Sequence, residues 1–305
     1  MKKIVITGGA GFIGAALANS LSMDSSNAVF AIDNLSTGSW DRVSSKVNKI
    51  DLDLTIAKDE ELKKVFDGAD VVYHLSAVKL HNQNNSFDSI IQNNVYASQR
   101  VFEAAGMAKV KRVIFTSSLY AYGLPEITPM KESSELIPIT AYGASKVFGE
   151  NLLKINSLKF GYSFGVARLF FIYGPNQFAE GGYKSVIISN FERIRRGISA
   201  TITGDGKQIL DYLYIDDCVE ALKLLGEAHQ SDTFNISSGE GQSILELTKV
   251  MLQVALGDKF EFVEPDWTKG TIRIGSNQKL REQLGWTPQV SILDGITQTW
   301  KSLGA

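Results

Sequence analysis

The sequence predicts an α/β protein: a doubly wound parallel sheet with a smaller C-terminal α+β lobe. Three observations predict it. The apolar run Ile4-Val5-Ile6 leads into the glycine-rich turn Thr7 to Gly14 and on into the amphipathic segment Phe12 to Leu21, a strand–turn–helix order. Short β-branched runs and helical segments then alternate as far as Phe171, as in a parallel sheet with helices on both faces. Beyond Pro175 the elements become shorter and more local.

Composition fits this class. The chain has 305 residues, 44% hydrophobic and 21% charged, enough for one large domain with an appended lobe. A net charge of -2 offers no electrostatic footprint for nucleic acid or an anionic membrane. The single cysteine, Cys218, excludes an internal disulfide and fits a reducing, cytoplasmic setting. No apolar run reaches the length of a bilayer span, and Met1-Lys2-Lys3 lacks the cleavage context of a signal peptide. No metal site is expected.

In the first turn, Gly8 permits a sharp reversal, Gly11 lets backbone approach a pyrophosphate, and Gly14 lets helix pack on strand. The helix N-terminus supplies free N–H groups and the positive end of a dipole. Ala28 to Ile32 is a second strand ending at Asp33, an acidic residue placed to bind the hydroxyls of an adenosine ribose. Asn34-Leu35-Ser36-Thr37-Gly38 follows with no arginine to meet a 2′-phosphate, which favours NAD over NADP. This is the arrangement of a Rossmann nucleotide-binding sheet.

Val47 to Leu54 reads as a third strand carrying Asp51 and Asp53, and Glu60 to Phe66 as a short helix. Val71 to Leu75 is a fourth strand running into Ser76-Ala77-Val78-Lys79, with His74 read as a core histidine. Lys79 to Ser89 is a polar loop before a helix ending near Ala108. Val113 to Thr116 is a fifth strand ending at Ser117-Ser118. The glycine turn, Asp33, Ser76-Ala77 and Ser118 therefore share the carboxyl edge of the sheet, where such folds bind ligands.

Tyr142 to about Lys159 is helical and Val166 to Phe171 extended. Helices follow near 186–196, 216–228, 244–256 and 280–284, with a turn at Gly204-Asp205-Gly206 and extended segments at Tyr212 to Tyr214 and Phe260 to Val263. The expected division is 1–172 plus about 209–232 for the NAD-binding domain, and about 173–208 plus 233–305 for a substrate lobe.

Tyr142 and Lys146 lie four residues apart, on one helix face. An ammonium beside a phenol favours phenolate, which would draw Tyr142 down from about 10 toward neutrality and suit it to general acid–base work. Ser118 is placed to hydrogen-bond the same oxygen, and Lys146 to hold the nicotinamide ribose.

With Thr7 to Gly14, Asp33 to Gly38, His74-Leu75-Ser76-Ala77, Asn94, Ser117-Ser118 ahead of Tyr122-Gly123, Tyr142 to Lys146 and Leu284-Gly285-Trp286-Thr287-Pro288, the chain resembles the extended short-chain dehydrogenase/reductases. Within them it is similar to the NAD-dependent nucleotide-sugar epimerases and dehydratases, of the UDP-glucose 4-epimerase type. The resemblance implies a catalytic set of Ser118, Tyr142 and Lys146. It implies NAD contacts at Gly8, Gly11, Phe12, Ile13, Gly14, Asp33, Asn34, Ser36, Gly38, Leu75, Ala77, Lys79, Tyr142 and Lys146, with Asp53-Leu54 at the adenine and Asn94 supporting the lysine and ribose region. It also implies a homodimer through helices matching Asn94–Ala108 and Tyr142–Lys159. The implied chemistry is transient oxidation of a sugar hydroxyl by retained NAD, with Tyr142 moving the proton.

The chain departs from the family in places. Ser118 is followed by Leu119-Tyr120, not by the Asp-Glu pair of the 4,6-dehydratases or the glutamate of the decarboxylases, which leaves epimerase-like or reductase-like chemistry. In the substrate lobe, Phe171 stands at the usual asparagine, Leu210 at the usual diphosphate arginine and Thr203 at the usual nucleobase aromatic. Losing that arginine removes a charge-assisted contact of about 1.5–3 kcal/mol. Lys184, Arg193, Arg195, Arg196 and Arg273 are candidates to compensate. The leading expectation is a nucleotide-sugar epimerase. The rivals are a ketoreductase or dehydrogenase with net cofactor turnover, and a non-catalytic NAD-binding regulatory protein.

Overall fold

The computed structural model describes residues 1–79, 86–177, 185–265, 268 and 270–304. They form two compact units: residues 1–123, 135–169 and 219–234, and residues 124–134, 170–218 and 235–304.

The first unit is built on a seven-stranded sheet. Strand β1 (Lys2–Thr7) passes through the glycine turn into helix α1 (Phe12–Leu21), whose Gly14, Leu17, Ala18 and Leu21 are buried. Then come β2 (Asn27–Asp33), β3 (Asn48–Asp51), α2 (Asp59–Phe66) and β4 (Val71–His74). The third strand is shorter than the Val47–Leu54 expected, because the chain turns at Asp53, whose carboxylate accepts from the Thr55 N–H at 2.8 Å. Helix α3 (Phe87–Ile90) begins inside the stretch read as loop and continues through a π-helical segment, Ile91–Tyr96, into α4 (Ala97–Met107). Strand β5 (Arg112–Ser118), α5 (Ala141–Phe160) and β6 (Ser163–Leu169) complete this run.

The sheet order is Asp232–Ile236, β6, β5, β4, β1, β2, β3, and the β1–β2, β1–β4, β2–β3, β4–β5 and β5–β6 pairs are parallel. The chain reverses direction across the sheet between β1 and β4, and the crevice at that switch point opens at their carboxyl ends. Val5, Ile32, Leu62, Phe66, Val72, Val101, Phe102, Val113, Phe115 and Leu153 form a continuous buried cluster of sheet and helix residues. Thr140 caps α5 by accepting from the Gly143 N–H at 3.0 Å, and Gly161, in the left-handed region, ends it.

The run read as one strand from Val166 to Phe171 proves to be two, β6 of the first unit and a new strand belonging to the second. After Leu169, Phe170 donates its N–H to Ile236 and Phe171 donates to Asp211, so the chain leaves one ladder for another. The new strand, Phe171–Tyr173, pairs in parallel with Tyr212–Tyr214. Ala200–Thr203 pairs with Phe260–Val263, and Ile209–Leu210 lies between Gln242–Ser243 and Ile272–Arg273. Helices span Val186–Arg195, Ile244–Val254, Gln278–Leu284 and Ile292–Ser302, the last not expected from sequence. The Leu284 to Pro288 motif is explained by packing. Trp286 is buried and donates its indole N–H to the Asp217 carbonyl at 3.1 Å, while the Asp217 carboxylate accepts from the Gln289 and Val290 N–H groups.

Candidate active site

The glycine turn is held from two sides. Gly8 has φ +70, a conformation that costs a side chain, and a Cβ there would stand 2.7 Å from the Ser76 nitrogen. A Cβ at Gly14 would collide with the Gly8 carbonyl oxygen, so α1 can approach β1 only without one. At Gly11 a Cβ would meet only Gly8 O, at 3.2 Å, which leaves its bare face open to a ligand.

Asp33 ties this turn to the end of β2. One carboxylate oxygen accepts from the Ala10 N–H at 3.0 Å and the other from the Leu35 N–H at 2.8 Å. Each oxygen keeps capacity for a further donor, as a ribose diol requires. Asn34 donates to Asp53 at 3.0 Å. Burial acts to raise the Asp53 carboxyl, but its hydrogen bonds from Thr55 and Asn34 prevail and hold it below the usual carboxylate range. Gly8, Ile32, Asp33, Asn34, Leu52, Asp53, Leu54, Thr55, Ser76, Asn93 and Ala97 together line a cleft. The acidic pair Asp33 and Asp53 and the bare glycine backbone beside them are the groups that could hold the adenosine half of a dinucleotide. Ile32, Leu52, Thr55, Asn93 and Ala97 were not singled out from sequence, because only the assembled sheet edge brings them together. Arg100 was missed as well. Its guanidinium donates to the Leu54 and Ala57 carbonyls and to Asp59 at 2.8 Å, pinning the loop that carries Asp53 and Leu54.

His74 is a core histidine. Ser98 donates its hydroxyl to Asn94 O at 2.5 Å, so His74 Nε2 donates to Ser98 Oγ at 2.9 Å. Nδ1 then accepts from the Thr7 hydroxyl at 2.6 Å. Burial pushes the imidazole down to about 3, which keeps it neutral.

Asn94 sits in the π-helical segment, a distortion often associated with functional sites. Its Oδ1 accepts from the Val78 N–H at 2.8 Å. Its Nδ2 donates to the Val78 carbonyl at 2.9 Å and to Ser145 Oγ at 3.1 Å. Ser145 in turn donates to the Tyr142 carbonyl at 2.7 Å. This one amide therefore clamps the Ala77–Lys79 backbone to the first turn of α5.

Ser118, Tyr142 and Lys146 converge. Ser118 ends β5, is 5% exposed, and its hydroxyl acts on the Tyr142 phenol in the direction that lowers its titration. Lys146 is 2% exposed; its ammonium donates to the Thr116 carbonyl at 2.9 Å and lies 5.6 Å from the Tyr142 ring centroid. Lys79 Nζ lies 5.4 Å from the same centroid. The expected lowering of the phenol by Lys146 is not what this geometry gives. Burial raises Tyr142 above its ordinary range, opposed by the Ser118 hydrogen bond. Lys146 itself is pushed down to about 7, by burial first and then by the Lys79 charge, with Glu150 acting in the other direction. Near neutrality it is therefore only partly cationic.

Beneath this trio lies a buried network that sequence reading missed. Ser117 donates to Glu150 Oε1 at 2.6 Å, and Arg168 donates to both Glu150 oxygens and to Tyr122 OH at 2.9 Å. Glu150 follows Lys146 by one turn of α5, and that spacing was the available signal.

Of the substrate candidates, Ser118 and Tyr142 belong to the first unit, and Phe171, Thr203 and Leu210 to the second. Phe171 is half-buried against Tyr212, with ring centroids 5.6 Å apart. Leu210 is 4% exposed, with Gln242 and Arg273 as its cross-strand partners. Thr203 ends its strand, and its carbonyl accepts from Gln208 Nε2 at 3.0 Å. Arg193 pairs with Glu261, Arg195 donates to the Leu303 carbonyl, and Arg273 is 1% exposed. Lys184 lies outside the described residues. Among the described residues no helix is long and apolar enough to cross a membrane.

The model of the NAD dependent epimerase/dehydratase family matches residues 4–237. A UDP-glucose 4-epimerase of Mycolicibacterium smegmatis is 33% identical over 310 residues, covering 97% of each chain. The solved UDP-N-acetylglucosamine 4-epimerase of Methanobrevibacter ruminantium, in complex with UDP-N-acetylmuramic acid, superimposes with a TM-score of 0.91 at 29% identity, covering 99% of this chain and 98% of that one. The UDP-glucuronic acid 4-epimerase of Bacillus cereus, in complex with NAD, gives a TM-score of 0.87 at 26% identity, with coverage of 99% and 98%.

Proposed function

The chain belongs to the NAD dependent epimerase/dehydratase family, and from that premise we propose that it is a nucleotide-sugar 4-epimerase that keeps NAD bound through its cycle. The observation that carries this reading is the convergence of Ser118, at the carboxyl end of β5, with Tyr142 and Lys146, one helical turn apart on α5. The relatives named as 4-epimerases, similar over nearly the full chain, support the same class.

Gly8, Gly11, Phe12, Ile13 and Gly14 hold the pyrophosphate in this reading, and Asp33, with Asn34, Ser36 and Gly38 beside it, holds the adenosine ribose. Asp53 and Leu54 flank the adenine. Leu75, Ala77 and Lys79, clamped by Asn94, run on toward the nicotinamide half. NAD, when bound, supplies the acceptor and return donor of a hydride and places a positive nicotinamide near the site. That positive charge, with Lys146 when protonated, would favour the phenolate of Tyr142, which would take the proton of the sugar hydroxyl and give it back, while Ser118 would hold the reacting oxygen in line. Lys146 orients the nicotinamide ribose and supplies positive charge when protonated. The retained carbonyl bond partner of Lys146, Thr116 O, keeps its nitrogen from drifting away from Tyr142.

The second unit binds the nucleotide sugar, with Phe171, Thr203 and Leu210 marking where its grip differs from the family pattern. The leucine at 210 and the phenylalanine at 171 favour a less polar grip on the diphosphate and sugar than the family pattern provides. The chain acts as a homodimer in the cytoplasm. Phe87, Ile91, Phe148, Ile155 and Leu158 are exposed on α3, its π continuation and α5, and pairing of two copies would cover them.

The test is incubation of the purified protein with UDP-glucose, UDP-N-acetylglucosamine and UDP-glucuronic acid, with inversion at the sugar followed by NMR. Inversion without added NAD, lost by at least about a thousandfold in Tyr142→Phe, is the expected result. Continuous accumulation or consumption of NADH would instead establish a net oxidoreductase.

A further inference from the structure

Tyr120 follows Ser118 by two residues and lies in the turn between β5 and α5. Its N–H donates to Ser118 Oγ at 3.3 Å. Its ring meets the Tyr142 ring nearly at right angles, with centroids 5.8 Å apart and an interplanar angle of 82°. Its backbone is equally constrained: a Cβ at Gly143 would collide with the Tyr120 carbonyl oxygen, so the residue after Tyr142 must be glycine for the two segments to meet. Lys79 then places Nζ 6.0 Å from the Tyr120 centroid and 5.4 Å from that of Tyr142. Tyr120, Tyr142 and Lys79 thus form one aromatic–cation group at the site.

We propose that Tyr120 is a positioning residue for Tyr142: its ring, edge-on to the Tyr142 ring with the Lys79 ammonium over both, aims the phenol at Ser118 and keeps water from its flank. The proposal rests on Tyr142 being the proton carrier. Edge-to-face aromatic pairs and cation–π contacts each contribute direction as well as energy. A phenol needs that direction here, because its ring could otherwise tilt while the helix carrying it stays in place. The ring matters in this account and the Tyr120 hydroxyl does not. Burial is the largest influence on the Tyr142 phenol. Water admitted beside it would therefore return its titration toward the ordinary value.

Two variants and two readouts decide the matter. Tyr120→Phe keeps the ring, whereas Tyr120→Ala removes it. The first readout is the pH profile of kcat, with KM, on a UDP-sugar that the wild-type protein inverts. The second is NMR of the protein carrying carbon-labelled tyrosine, with the Tyr142 signal assigned by Tyr142→Phe. Tyr120→Phe is expected to keep kcat within about threefold, with an unshifted profile, while Tyr120→Ala lowers kcat at least about tenfold with little change in KM. The Tyr142 titration in Tyr120→Ala is expected to fall by about one pH unit or more. An unshifted titration and wild-type kcat in Tyr120→Ala overturn the proposal. Equal impairment of Tyr120→Phe and Tyr120→Ala also overturns it, because the hydroxyl would then be the acting group. Tyr120→Leu, closer in volume, replaces the alanine variant if that one fails to fold. If the wild-type protein inverts no sugar, the function proposed above fails, while the titration still decides whether Tyr120 controls Tyr142.

Discussion

Glu150 and Arg168 meet through two hydrogen bonds, Nε to Oε1 at 2.9 Å and Nη2 to Oε2 at 2.7 Å, with the two residues 1% and 3% exposed. Both carboxylate oxygens are engaged, and Ser117 adds a third donor. Removing one partner of such a pair leaves an uncompensated charge in the core. Glu150→Ala is expected to lose about 3–5 kcal/mol of stability, measured by urea unfolding. The double change Glu150→Leu with Arg168→Met is expected to recover most of it, since no charge is then stranded. A single variant as stable as wild type would show that water reaches Arg168.

Lys146 is a buried lysine whose titration is pushed from 10.5 down to about 7. The unfolded chain binds the proton more tightly than the folded one between those values, so folded stability rises with pH through that window. The penalty is full below pH 7 and gone above 10.5. Lys146→Met removes it. The variant is expected to be a few kcal/mol more stable than wild type at pH 6–7, with the gap closing as the pH is raised to about 10. Its inversion activity is expected to be lost. Thermal unfolding across that pH range checks the sign, and a gap independent of pH would contradict it.

Gly14→Ala puts a methyl group into the Gly8 carbonyl oxygen. Backbone cannot yield as a flexible side chain can, so α1 must shift away from β1. A loss of about 1–3 kcal/mol in stability is expected, together with weaker NAD retention, because the N–H groups of the helix start move with it. Gly68→Ala is the control for backbone cost alone, since a Cβ there meets nothing within 4 Å although φ is +67. NAD retained after gel filtration distinguishes the two.

Asp211 is fully buried in the second unit and accepts four hydrogen bonds, from Ser238 N–H and Oγ–H, Gly239 N–H and Gly275 N–H. Burial raises it to about 6 even so, with those donors acting against the rise. The carboxylate ties three segments, and Asp211→Ala strands the backbone donors it leaves behind. A loss of at least about 3 kcal/mol is expected at pH 7, after allowing for the charge burial that is relieved. Its folded titration lies above the unfolded value of 3.8, so the cost of burying the charge is full above pH 6 and is relieved as the pH falls toward 4. The advantage of wild type over Asp211→Ala should therefore widen between pH 7 and pH 4, which denaturant midpoints would register.

The parallel sheet could be read from the chain because its signals are local. Ile4 to Ile6 followed by glycines, Ala28 to Asp33, and Val113 to Ser118 each carry their own boundaries in sequence. The elements of the second unit were less legible. Strands such as Ile209–Leu210 and Gln242–Ser243 have two residues each, too few to show a period, and exist because neighbours complete their ladders. The break at Phe170 was hidden inside an apolar run, where a change of hydrogen-bonding partner leaves no mark on composition.

The sequence by itself determined the nucleotide-binding turn, the Asp33 position and the facing of Tyr142 toward Lys146, because each depends on spacing along one element or one turn. Tertiary structure alone decided what those groups experience. Asn94 reaches Val78 and Ser145 across sixteen and fifty-one positions, and Glu150 finds Arg168 only when β6 lies beside β5. Burial is the largest influence on the titration of both Tyr142 and Lys146. Spacing places a charge beside a phenol, but the cost of keeping either one ionised depends on how much water the assembled fold leaves around it.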